Sequence, residues 1–305
     1  MKRLAVVQLA VALIGLGFFW WLMQPVYIRD IADTEITFVD GNAAQGEQIF
    51  WASGCASCHA EKGAEGDKKL LLGGGHRIET PFGTFITPNI SPDSDTGIGN
   101  WSAVRFYDSL VYGTSYTEGH YYPSFPYASY SKMKQRDILD LFAFIKTLPA
   151  VAHENEPHEL PWMLQWRRPL GIWKRLFTDD DWVIGIDKAD AKLQRGRYLV
   201  EALGHCGECH TPRNLLGGLQ KSQWLAGGPA PEGEGRTPNI TPHEDGIGSW
   251  SEGDIAYYLE SGFTPDFDSV GGTMTSVQQN MAKLPKSDLE AIATYLKAIP
   301  PVASN

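Results

Sequence analysis

The chain has 305 residues, more than one typical domain needs and enough for two. Hydrophobic residues make up 43% and charged residues 20%, a globular balance that excludes an intrinsically disordered chain. The formal net charge of −10 argues against nucleic acid as a partner, and 32 glycines with 19 prolines point to long ordered loops between rather few helices.

The N-terminus reads as a membrane element. After Lys2 and Arg3, the stretch Leu4 to Met23 is apolar except for Gln8. As a helix rising about 1.5 Å per residue it spans roughly 30 Å, the thickness of a hydrocarbon core. Basic residues precede it, and Trp20 and Trp21 stand at its far end, as the positive-inside rule and the aromatic belt place them. The run is long for a signal peptide and no small-x-small cleavage site precedes Pro25, so residues 1–24 are expected to be an uncleaved transmembrane anchor. Either reading exports the remainder, which begins with a linker over 25–38.

That remainder is written twice. The pairs Cys55/Cys58 and Cys206/Cys209 lie 151 positions apart, and the same spacing, within two residues, recurs along the chain. Thr87-Pro-Asn-Ile-Ser-Pro returns as Thr237-Pro-Asn-Ile-Thr-Pro, and Gly97-Ile-Gly-Asn-Trp-Ser as Gly246-Ile-Gly-Ser-Trp-Ser. A repeat this long is a duplicated domain and not a solenoid unit. Two modules are expected, at 39–150 and 190–301, with a tail over 302–305. In the first, a short helix over Gln45–Ser53 precedes the cysteines and a Gly/Pro-rich loop follows. A middle helix starts at an N-cap Ser102 and stops at Gly113. A last helix has apolar spacing at Ile138, Leu141, Phe142 and Ile145 and ends before Pro149. The segment 151–189 is rich in tryptophan and proline, with Arg167, Arg168, Lys174 and Arg175. It reads as a linker packed across both modules or as an amphipathic patch on a membrane or partner. The second module repeats the pattern: Lys192–Leu203, a helix from Ser251 to Gly262, and a last helix through Leu289, Ile292, Ala293 and Leu296 to Pro300. No strand pattern competes.

Cys55-Ala-Ser-Cys58-His59 and Cys206-Gly-Glu-Cys209-His210 both fit C-x-x-C-H, the attachment signature of haem c. Two thiols add across the two vinyl groups of one porphyrin, and the next residue sets an imidazole over the iron. Two matches, at equivalent places and using every cysteine, predict two covalently bound haems with His59 and His210 as proximal ligands. Disulfides across so short a gap would be strained, and zinc or a redox dithiol lacks further ligands at suitable spacing.

For the sixth ligand of the second haem, Met274 in Gly271-Gly-Thr-Met274, a polar loop before the last helix, ranks ahead of Met281. In the first module the counterpart falls near Tyr122–Phe125, where there is no methionine. Met133 and His120 are the alternatives, with an open site third. Asn89, Asn239, Trp101 and Trp250 in the repeated loops read either as haem-propionate donors or as loop braces. His76, His153, His158, His205 and His243 read as non-ligands, and Asp93, Asp95, Glu244 and Asp245 as solvated turns without a calcium-loop signature.

These motifs, with Gly204-His-Cys-Gly-Glu-Cys-His-Thr-Pro-Arg-Asn and the bridging Leu160-Pro-Trp…Arg168-Pro-Leu…Trp173…Leu176-Phe, resemble the cytochrome c subunits of membrane-bound alcohol and other flavin or quinoprotein dehydrogenases. The resemblance covers nearly the whole exported chain. It implies an all-α fold of two tandem class I cytochrome c domains with long ordered loops after an N-terminal transmembrane helix. Two departures stand out. Those subunits commonly carry three haems and this chain has motifs for two, so the resemblance does not by itself imply the family's direct quinone reduction. They also tend to have methionine where Phe125 stands. The chain is closer to a general diheme family of the same superfamily. The function expected is an electron carrier on the periplasmic face of a bacterial inner membrane, between a dehydrogenase subunit or membrane donor and a cytochrome or oxidase. A diheme peroxidase or thiosulfate dehydrogenase type of enzyme, working at an open first haem, is the alternative; a haem-based sensor would need an output domain.

Overall fold

The structure is a computed structural model that describes residues 2–28, 40–187 and 189–304. It is mostly helical. Helix α1 (Lys2–Leu22) is the apolar N-terminal run, with none of its 20-residue span Arg3–Leu22 buried against the rest of the chain. The predicted linker falls mostly on residues outside those described.

The helices that follow are α2 (Ala43–Ala52), α3 (Cys55–His59), α4 (Ala103–Val111), α5 (Tyr127–Tyr130) and α6 (Gln135–Ile145). Helix α7 (Leu170–Phe177) lies in the bridging segment. The second set is α8 (Ala191–Arg197), α9 (Gly207–His210), α10 (Glu252–Ser261), α11 (Met274–Met281) and α12 (Lys286–Ala298). The caps are those the sequence requires. Ser102 accepts from the Arg105 N–H at 3.2 Å, Ser251 forms a full capping box with Asp254, and Gly262 closes α10 in the left-handed region at φ 81°.

The expectation of a strand-free chain needs correction. Among the described residues three antiparallel strand pairs occur: β1 (Arg77–Thr80) with β2 (Gly83–Ile86), β3 (Thr114–Ser115) with β4 (Gly119–His120), and β5 (Gly228–Pro229) with β6 (Arg236–Thr237). They are two to four residues long and sit in glycine-rich loops, too short to write a period of two into the sequence. A second difference is at Met274, expected in a loop, which opens α11. Beyond Arg197, helix α8 continues as a π-helical turn over Tyr198–Leu203.

The main helix crossing is made the same way twice. A side chain at Gly46 of α2 would meet the Asp140 carbonyl oxygen of α6 at 1.9 Å, and one at Gly196 of α8 would meet the Ala291 oxygen of α12 at 2.0 Å. Only glycine permits this backbone approach. Phe50, Ile138 and Leu141 fill the first crossing and Leu203, Ile292 and Tyr295 the second, all within one continuous buried cluster. Two helix pairs thus support two C-x-x-C-H turns over one shared core.

Candidate haem sites

Each C-x-x-C-H segment is a single helical turn. Its histidine is held by the backbone of the Thr-Pro-Asn-Ile loop of the same repeat: His59 Nδ1 lies 2.8 Å from the Pro88 oxygen, and His210 Nδ1 lies 2.8 Å from the Pro238 oxygen. A carbonyl can only accept, so Nδ1 carries the proton and Nε2 keeps its lone pair for a metal. Burial lowers the pKa of His59 to about 4 and lowers that of His210, which keeps both rings neutral. The same threonine closes each loop: Thr87 Oγ1 donates to the Cys58 oxygen at 2.8 Å and Thr237 Oγ1 to the Cys209 oxygen at 2.7 Å.

No disulfide joins the four cysteines, which are half-buried. Burial pushes Cys55, Cys58 and Cys206 up to about 12 and Cys209 up to about 11. That is the opposite of a redox dithiol, whose attacking thiolate is stabilised. Among the described residues no three His, Cys, Asp or Glu side chains gather as a metal set. A pair of cysteines beside an imidazole whose Nε2 is left free fits a covalently held haem, with the protein supplying the two thioether sulfurs and one axial nitrogen.

The distal candidates differ in setting. Met274 is half-buried at the start of α11, packed against the core. Met281 is buried, and its Cε and Cys206 Sγ flank Gly204, 3.4 and 3.5 Å from where a Cβ would stand. Met281 therefore packs on the thiol side of the turn. Met133 is 6% exposed in the core that also holds Ala56 and Tyr130. His120 is 2% exposed and is turned toward the end of α1: its Nε2 is 3.1 Å from the Met23 oxygen, and its Nδ1 is buried without a partner. Phe125 stands among the rings of Tyr121, Tyr127 and Tyr130.

Asn89 and Asn239 are braces. Asn89 Nδ2 donates to the Val151 oxygen at 2.7 Å while its Oδ1 accepts from Ser91; Asn239 Nδ2 donates to the Val302 oxygen at 2.7 Å while its Oδ1 accepts from Thr241. Their amides tie each loop to the chain beyond the last helix. Trp101 lies under the Arg105 guanidinium, and Trp250 packs on Tyr258. Asp93 accepts from the backbones of Asp95 and Thr96, a self-closed turn.

Sequence reasoning missed the seam between the two turns. Asn280 Nδ2 donates to Ser57 Oγ at 2.8 Å, inside the first C-x-x-C-H; Ser129 Oγ donates to Glu208 at 3.1 Å, inside the second. Each partner sits 151 positions from its counterpart, so one contact is made twice, reciprocally. The residues before the first cysteines, Gly54 and His205, are also equivalents. Both have positive φ (65° and 38°), and His205 Nε2 lies 3.8 Å from a Cβ built at Gly54. His205 further packs on Tyr130, at 5.5 Å between ring centres. The signal was available: His205 is a bulky residue in a turn where its repeat has glycine.

Comparison with known proteins agrees with this geometry. A family model described as cytochrome c matches residues 43–149. A diheme cytochrome c-type protein of Cereibacter sphaeroides is 51% identical over 303 residues, 99% of this chain and 100% of the relative. The fructose dehydrogenase cytochrome subunit of Gluconobacter japonicus is 36% identical over 86% of this chain and 53% of its own length. The gluconate 2-dehydrogenase cytochrome c subunit of Pantoea cypripedii is 35% identical over 85% of this chain and 60% of its own length. With two attachment turns of matching geometry and a full-length diheme relative, the chain belongs to the diheme c-type cytochromes and carries two covalently bound haems c.

Proposed function

We propose that this cytochrome is a membrane-anchored periplasmic electron carrier that takes electrons from a dehydrogenase or membrane donor and hands them to a downstream cytochrome or oxidase. The observation that carries the reading is the reciprocal seam. It sets the two C-x-x-C-H turns against each other around Gly54 and His205, as a short electron path needs. Two tandem cytochrome c domains, 39–150 and 190–301, each contribute one turn. The four cysteines hold the haems, His59 and His210 are the proximal ligands, and bound haem c supplies the one-electron couple. The protein keeps the imidazoles neutral and oriented and excludes water. The relatives named as dehydrogenase subunits support a dehydrogenase as donor. The net charge of −10 favours partners with a basic patch and a salt-dependent association rate.

Met274 is the sixth ligand we assign to the second haem, because Met281 is taken up at the Cys206 edge. For the first haem we favour Met133 over His120, whose Nε2 is engaged at the Met23 carbonyl. The second reading, a diheme enzyme, rests on Phe125: the segment equivalent to the start of α11, Tyr122–Phe125, holds an aromatic cluster and neither methionine nor histidine. Optical and electron spin resonance spectra, with carbon monoxide added to the reduced protein, separate the two. Two low-spin haems indifferent to carbon monoxide are expected; a high-spin haem assigned to the Cys55–His59 turn sinks the carrier reading in favour of the enzyme.

A further inference from the structure

From Leu160 to Phe177 the chain carries four basic residues and no acidic one, within a protein of net charge −10. This segment is fastened to the end of α1. A Cβ at Gly171 would stand 2.8 Å from Met23 Cα, so α7 lies directly on the backbone where the apolar helix ends. The Arg168 guanidinium lies 3.8 Å from the Trp20 ring centre and that of Arg175 5.0 Å from Trp21, while Arg175 Nε donates to the Leu22 oxygen at 3.0 Å. The chain just after α1 is equally fixed: the Ile28 N–H bonds Asp108 at 2.9 Å, and Thr114 bonds the Val26 oxygen at 3.0 Å. A membrane helix joined this firmly does not leave the body free to tumble. It fixes which face lies on the bilayer.

On that face large apolar side chains are bare. Trp162 is 80% exposed, Met163 64% and Trp166 56%, on the turn just before Arg167 and Arg168. That turn is itself tied down, since Tyr122 Oη donates to the Leu164 oxygen at 2.6 Å. Tryptophan beside arginine at the mouth of an apolar helix is the composition of the layer between headgroups and acyl chains.

We infer that residues 160–177 form a second, interfacial membrane contact, in which Trp162, Met163 and Trp166 enter the headgroup layer of the outer leaflet and Arg168 and Arg175 meet lipid phosphates. The occupant is lipid and not a partner subunit, because Arg168, two residues after Trp166, lies on Trp20 at the very end of the apolar helix. The inference rests on the anchor reading of α1, and the test keeps the two apart.

The full-length protein with both haems is placed in vesicles of phosphatidylethanolamine and phosphatidylglycerol doped with a phospholipid that carries a photoreactive diazirine high on its acyl chain. Adducts are mapped by mass spectrometry. Adducts are expected on α1 and on the 160–177 peptides, and not on the equally bare Leu215 (97% exposed) or Phe267 (87% exposed). The triple variant W162S/M163S/W166S should lose the 160–177 adducts and keep those on α1. Adducts on α1 with none in 160–177 overturn the interfacial contact and leave the anchor standing. Adducts on neither show that the anchor reading has failed. Equal labelling of Phe267 and Trp162 would mean that the probe reports exposure alone and would also overturn the inference.

Discussion

The two halves of this cytochrome agree around the attachment histidines and differ where we propose the sixth ligands. His59 and His210 meet the same carbonyl at the same 2.8 Å, and Gly46 and Gly196 make the same helix crossing. Opposite them, α11 is an eight-residue helix that starts at Met274, whereas α5 is four residues long and is preceded by Pro123, Phe125 and Pro126. The two sides are fixed by different means. His59 and His210, the proximal ligands we propose, are held by backbone, through Pro88 and Pro238, and backbone geometry survives changes of side chain. The sixth ligands we propose are single side chains in different settings, Met274 half-buried at the start of α11 and Met133 inside the core.

The comparison breaks most visibly if an attachment turn is removed. Cys58→Ser and Cys209→Ser should each lower haem content, read as pyridine haemochrome per chain, by half and leave the other site spectrally intact. Loss of both haems in either variant would show that the shared core couples the halves more tightly than their separate carbonyl locks imply.

The next largest effect sharpens the distal difference. Met274→Ala should convert the second haem to a high-spin form that binds carbon monoxide when reduced. In the first half, Met133→Ala should do the same and His120→Asn should not. The reverse outcome would reassign the first haem to His120, and indifference to both would leave it open.

Much of this architecture is legible in the amino-acid sequence alone. The attachment turns, their histidines and the caps at Ser102, Ser251 and Gly262 follow from local rules: fixed spacing, and side chains that satisfy the first amides or permit positive φ at a helix end. What stays hidden is non-local. The seam joins residues as far apart as Ser57 and Asn280, and no local pattern marks a serine as half of such a pair. The brief strand pairs are hidden for the opposite reason, being too short to show a period. Asn89 and Asn239 leave two readings open because an amide serves a propionate or a carbonyl equally well; Val151 and Val302, just past the last helices, decide for bracing.

Acid should also distinguish the halves. Burial, aided by nearby Lys174, lowers His120 from 6.5 to about 4, and burial with Arg167 lowers His158 to about 4; both lie on the first-half side. A group with a depressed folded pKa binds protons more readily when unfolded. The stability it contributes is therefore complete above about 6.5 and is lost as the pH falls toward 4. Moving a pKa from 6.5 to about 4 is worth about 3 kcal/mol by linkage, and screening by solvent brings the expected loss to about 2 kcal/mol per histidine. Denaturant midpoints measured from pH 7 to 4 should fall in the parent and fall less in His120→Asn. An unchanged slope would exclude His120 as a source of the acid sensitivity.

The smallest effects belong to the seam, where the repeat allows a controlled test. Asn280 is fully buried and serves two partners, donating to Ser57 and accepting from the buried Lys69 ammonium at 3.1 Å. Asn280→Ala removes one neutral hydrogen bond and strands a buried charge, a cost of about 2–3 kcal/mol. Its equivalent Ser129 gives up only the bond to Glu208, which Arg213 continues to satisfy at 2.5 Å, so Ser129→Ala should cost about 1 kcal/mol. The contacts lie on opposite sides of the seam and share no partner, so the double variant should sum within about 0.5 kcal/mol. A clear excess over that sum would mean that the seam opens as one unit. The two turns would then owe their closeness to Gly54 and His205 only while both reciprocal bonds hold.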